Sequence, residues 1–119
     1  CSAMGRAMLA YMSQAEVQKV LRASELQKLT PETKIDLREI NQELIHTRQK
    51  GYCILFDELA ESKSSLAAPI FDRNRNPVAA ISVSASAQSL SQPQRERELA
   101  KAVMTAAGKI SGKLGYYPK

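Results

Sequence analysis

The sequence predicts an α+β domain in which an antiparallel three-stranded meander packs with helices. Three observations lead there. Ser13-Gln-Ala-Glu16, and Asp36 followed by Glu39, have the form of capping boxes, and each opens a run with apolar residues at helical spacing. Three strand-like runs between residues 52 and 86 are joined by links too short for a crossover, so neighbouring strands must be antiparallel. From Ser91 onward, apolar residues three or four apart continue to Leu114, the pattern of one long closing helix.

Taken in order, Ser2 caps a first helix running to about Tyr11, with Met4, Met8 and Tyr11 or Met12 at helical spacing. The second helix starts at the Ser13 box and offers Val17, Val20 and Leu21 to a core. Residues 25–35, with Pro31, read as a connecting loop. In the third helix Leu37, Ile40 and Leu44 face inward, Arg48 and Lys50 suit its last turn, and Gly51 supplies a left-handed stop. Strands are expected at 52–59, 65–71 and 78–86, linked by residues 60–64 and by Asp72-Arg-Asn-Arg-Asn-Pro77. In the last helix Ser91 is the cap, Pro93 sits in the first turn, and Leu99, Val103, Ala106, Ile110 and Leu114 form the stripe. Its small residues Ala100, Ala107, Gly108 and Gly112 favour close approach to a sheet or another helix.

A chain of 119 residues with 44% apolar residues suits one small domain, able to bury roughly 65% of its unfolded surface. It carries no apolar run of a bilayer's length and no signal-peptide succession, so the expectation is a cytoplasmic protein without membrane contact. Cys1 and Cys53 lack zinc-type spacing and read as free thiols, Cys53 half buried in a strand. The net charge of +5 is spread among Asp and Glu along helix-like segments, which describes a solvated face rather than a nucleic-acid stripe.

Catalytic chemistry finds little to use. The single histidine, His46, falls on the polar side of the third helix, which excludes a Ser-His-Asp arrangement argued from sequence. No metal-ligand cluster and no phosphate-cradling glycine loop is present, so no cofactor, metal or enzyme activity is expected. The third strand is more informative. In an extended chain Ala79, Ile81, Val83 and Ala85 share one face, while Ser82, Ser84 and Ser86 share the other. A row of hydroxyls either faces water or lines a polar pocket.

The order of elements, with Gly5-Arg6-Ala7-Met8-Leu9-Ala10, residues 48–52, Asp57-Glu58-Leu59, Ala67-Ala68-Pro69-Ile70-Phe71-Asp72 and residues 78–84, resembles the effector-binding domain of the IclR family of bacterial transcription regulators. The resemblance covers almost the whole chain. It implies a GAF/profilin-like domain that senses a small metabolite and passes its state to a winged helix-turn-helix domain holding operator DNA. With no start methionine, the chain is expected to be a partial effector-binding domain over residues 1–119, lacking the DNA-binding domain and the first part of the sensor. The resemblance places the pocket at Ser65, at Ser82 and Ser84, at Leu55, and at the first helix start around Ser2, Ala3 and Met4, with Asp57 on the same strand face as Leu55. Hydroxyls together with helix N-terminal amides hold a carboxylate without a buried arginine. Leu55 stands where relatives that bind small oxo-acids often carry an acid, Ser65 where they carry a thiol, and Lys63 where an apolar residue is common. These departures imply a different effector, a larger or less polar organic acid, aromatic acids included, while Asp57 on the same face argues the other way unless it lies at the rim. The implied assembly is a homodimer or tetramer. Two other readings are an interaction module with a vestigial pocket, and a redox sensor using Cys53.

Overall fold

The computed structural model describes residues 2–23, 37–56 and 63–117. Its elements are α1 (Ala3–Leu9), α2 (Gln14–Ala23), α3 (Leu37–Lys50), β1 (Cys53–Phe56), β2 (Lys63–Phe71), β3 (Pro77–Ser86), α4 (Ala87–Leu90) and α5 (Pro93–Lys113). The strands form one antiparallel sheet in the order β1-β2-β3, the meander that the short links predict. The tight link after β2 is closed by Asp72, whose carboxylate accepts from the amides of Asn74 at 2.9 Å and Asn76 at 3.0 Å. Arg75 takes φ +65° there, and its guanidinium donates to the Tyr117 carbonyl at 3.2 Å.

Alternation along the strands gives the sheet two different faces. One carries Ile54 and Phe56 from β1, Leu66, Ala68 and Ile70 from β2, and Ile81, Val83 and Ala85 from β3. It packs on Ala100, Val103 and Ala107 of α5, with Tyr52 and Leu90 completing the cluster. Leu66 and Leu90 are fully enclosed, and each such burial contributes roughly 1.5–3 kcal/mol. The opposite face sets Cys53, Leu55 and Ala67 against Ala3 and Ala7 of α1. A third cluster, Ala10, Val17, Ile40 and Leu44, joins α1, α2 and α3.

Local chemistry explains most boundaries. The Ser2 hydroxyl accepts from the Gly5 amide at 2.9 Å to start α1, and Ser13 and Glu16 form the predicted reciprocal box at the start of α2. Gly51 ends α3 at φ +91°, a conformation that costs a side-chain-bearing residue free energy, and Gly115 does the same after α5. His46 is exposed on α3, on the polar side as expected.

Several expectations are corrected. α1 stops at Leu9, and its buried residues are Ala3, Arg6 and Ala7 rather than the methionines, because a helix lying this close to a sheet needs small side chains at the contact. Val20 is exposed rather than core. The second and third strands start earlier than expected, at Lys63 and Pro77. Cys53 is 1% exposed, not half buried. A short helix, α4, interrupts the Ser-rich stretch, with the Ser86 hydroxyl accepting from the Ser89 amide at 3.2 Å. Ser91 ends that helix and donates to the Gln88 carbonyl at 2.8 Å, so the cap of α5 is Gln92 instead. The buried stripe of α5 is Ala100, Val103, Ala107 and Ser111, while Ile110 and Leu114 stand exposed. Cys1, the loop at 25–35, the Asp36 cap and the expected strand end at 57–59 lie outside the described residues.

Candidate functional site

The register aligns the expected site residues in rows across the sheet. Leu55 of β1 pairs with Ser65 of β2, and Ser65 pairs with Ser84 of β3. One row over, Cys53 pairs with Ala67 and Ala67 with Ser82. All six therefore share one face, the face that α1 covers. The Ser65 and Ser84 Oγ atoms lie 3.4 Å apart, close enough for either to donate to the other or for both to turn to a shared acceptor.

The rows are graded in depth. Leu55 is 3% exposed and Cys53 and Ala67 are buried beneath α1, Ser65 is half-buried, and Ser82 and Ser84 are exposed. The arrangement is an apolar patch packed under α1, flanked by a slope of hydroxyls that face solvent. Ser64, on the opposite face, is buried with its hydroxyl 3.0 and 3.1 Å from the carbonyls of Ala85 and Ser86, so its single proton serves the strand pair. The buried tie thus comes from Ser64, and the hydroxyls left open are those on the α1 side.

The helix start contributes less than expected. α1 has seven residues; its Gly5 amide is taken by the Ser2 hydroxyl and its Arg6 amide donates to the Ser2 carbonyl at 3.0 Å. Ala3 is buried against the sheet, Ser2 is half-buried, and Met4 points outward at 43% exposure. Asp57 lies outside the described residues.

Two cations stand near these rows. Arg6 is 3% exposed on α1, so a buried arginine accompanies the helix over this face. Lys63, exposed at the start of β2, lies two residues before Ser65 and pairs with Ser86, so it stands on the same face as the hydroxyls. Strand parity with Ser65 was the available signal for Lys63. Arg6 gave none, since a helix template assigns the core to large apolar residues. Among the described residues no group of His, Cys, Asp and Glu is placed to hold a metal ion. No helix among them is long and apolar enough to cross a membrane.

Comparison with known proteins agrees with this geometry. The family model "Bacterial transcriptional regulator IclR C-terminal" matches residues 1–112. The transcriptional repressor IclR of Escherichia coli is 38% identical over 82 residues, covering 69% of this chain and 30% of that protein. The regulator KipR of Bacillus subtilis is 29% identical over 114 residues, covering 96% of this chain and 45% of that protein. The chain thus spans less than half the length of these relatives. The crystal structure of the C-terminal domain of E. coli KdgR superposes with a TM-score of 0.91 at 30% identity, over 97% of this chain and 70% of that one. These relatives are named as regulators of transcription rather than as enzymes. With the family model matching residues 1–112 and the fold superposing on the KdgR domain, the chain belongs to the IclR family of bacterial transcription regulators, in its C-terminal part.

Proposed function

We propose that this chain is the small-molecule-sensing domain of a bacterial regulator and that it binds a small organic acid on the sheet face beneath α1. The observation that carries the reading is the convergence of Ser65, Ser82 and Ser84 on one face, above buried Leu55 and beside Lys63. Hydroxyls donate to a carboxylate, the Lys63 ammonium supplies attraction at longer range, and Leu55 meets an apolar tail. Three charge-assisted hydrogen bonds at about 1.5–3 kcal/mol each, before the loss of freedom on binding is counted, set micromolar affinity as the ceiling. Ser2, Ala3 and Met4 bound the slope from α1. In this reading operator DNA is held by a winged helix-turn-helix part outside this chain, the assembly is a homodimer or tetramer, and the protein works in the cytoplasm.

A thermal-shift panel of small carboxylates, each paired with its neutral amide, tests the proposal. A matching acid at a hundredfold excess over Kd stabilises by about 2.7 kcal/mol and raises Tm by roughly 10 °C, while its amide does not. Lys63→Gln should weaken the acid several-fold and flatten the salt dependence of binding. No response to any acid contradicts the proposal. One observation favours a second reading as an assembly module: β3 runs for ten residues without a charge, and among the described residues it pairs only with β2, leaving an edge open to another strand. Stable assembly in solution without any acid response would support that reading.

A further inference from the structure

A row of three packed rings joins α1 to the turn that follows α5. Gly115 takes φ +91° there, its amide donates to the Gly112 carbonyl at 3.1 Å, and the Tyr116 amide donates back to the Ser111 carbonyl at 3.0 Å, the bond pair of a Schellman turn. That turn lays the Tyr116 ring on Phe71, stacked with 4.9 Å between centroids. Ser111 also fixes Phe71, whose amide donates to the Ser111 hydroxyl at 2.9 Å. Phe71 in turn meets the Tyr11 ring edge-on, again at 4.9 Å.

Tyr11 belongs to the far end of α1. Its amide donates to the Met8 carbonyl and the Met12 amide to the Leu9 carbonyl, both at 3.1 Å, so the helix runs on as a tight turn into the ring. The Tyr11 hydroxyl donates to the Arg48 carbonyl at 3.3 Å, and the Arg48 guanidinium lies 5.8 Å from the ring centroid. The near end of α1 is held more lightly, by the single methyls of Ala3 and Ala7 on the sheet face. A helix of seven residues has no stability alone, so its place on the sheet depends on such anchors. What α1 covers there is closed: Leu55 is 3% exposed, Cys53 1% and Ala67 0%. An acid whose apolar end is to reach Leu55 must therefore lift α1.

We infer that α1 is a lid and that Tyr11, Phe71 and Tyr116 form the latch that keeps it closed over the apolar patch, opposing the acid until α1 lifts. The ligand half of this inference rests on the acid site proposed above; the hold on α1 does not. An aromatic pair shifts an equilibrium by about two- to tenfold beyond the area it buries, so removing the Tyr116 ring should raise the open population of α1 by that factor. While the closed form predominates, apparent affinity is proportional to the open fraction, so the acid should bind more tightly by the same factor. By the same linkage, acid binding should loosen the contact between Tyr11 and Phe71.

Amide hydrogen exchange and benzoate titration of Tyr116→Ala provide the test, with benzamide as the uncharged control. In the free protein the α1 amides of Arg6 and Ala10, bonded to the Ser2 and Arg6 carbonyls, should exchange about two- to tenfold faster, while the β2–β3 ladder stays as protected as before. Benzoate should bind the variant more tightly by a like factor, the opposite of what simple damage to the fold would do. Tyr116→Phe keeps the ring and should match the original protein in both measurements. Tyr116→Leu, apolar but without a ring, should repeat the alanine pattern and takes its place if that variant unfolds. Unchanged α1 exchange, exchange that rises equally in the ladder, or benzoate binding that is unchanged or weaker in a variant with loosened α1 overturns the inference. If benzoate binds neither protein, the ligand half falls with the acid reading, and α1 exchange alone decides the latch.

Discussion

Tyr52 shows how a single residue ties elements together. Its ring lies in the core beside α5, its hydroxyl donates to the Glu96 carboxylate, and the Lys50 ammonium sits 5.0 Å from the ring centroid. Burial, then the hydrogen bond and charge of Glu96, push the phenol up to about 12, because all three disfavour the phenolate. The unfolded phenol titrates near its ordinary value of about 10, so this contribution is complete below that pH and is lost as pH rises towards the folded value. Phenolate absorbance should locate the transition near 12 in the folded protein, and Tyr52→Phe should remove the stability loss in that window. A transition at the ordinary value would show that the Glu96 contact does not form. Lys63 and Arg6 make the complementary point that a cation's meaning depends on its face, which residue type alone does not give.

At the scale of elements, the sheet is held between two helices by different means. α1 uses alanines, so it can lie close over Cys53, Leu55 and Ala67. α5 uses Ala100, Val103 and Ala107 together with one polar tie, the buried Ser111 hydroxyl between β2 and its own helix. Ser111→Ala leaves the Phe71 amide without that partner and should cost about 1–3 kcal/mol, read as a lower denaturant midpoint at unchanged m. A neutral result would mean that water replaces the hydroxyl. Capping chemistry made α2 legible from Ser13 and Glu16, and the short links made the meander legible. The stripe of α5 was not, because its period fits both Leu99–Val103–Ala106–Ile110 and Ala100–Val103–Ala107–Ser111. Contact with the sheet favours the smaller set, and that preference is tertiary. The break at Ser91 was equally hidden, since a serine before Pro93 serves as well to end one helix as to start the next.

For the whole molecule, the family resemblance named the candidate site residues, and strand parity explains why they share a face. Period two placed Ser82 and Ser84 opposite Ile81 and Val83, and the antiparallel register added Ser65 and Leu55 to their face. Depth was not legible: only the packing of α1 sinks Leu55 while leaving Ser82 and Ser84 exposed. A slope of this kind suits a ligand whose apolar end enters first and whose carboxylate stays near the hydroxyls and Lys63. The most direct measurement is a crystal structure of the chain with the best acid from the panel. The carboxylate should lie within hydrogen-bond reach of the Ser65, Ser82 or Ser84 Oγ atoms, with the rest of the molecule towards Leu55. An acid seated elsewhere, with these hydroxyls bonded only to water, would contradict the account.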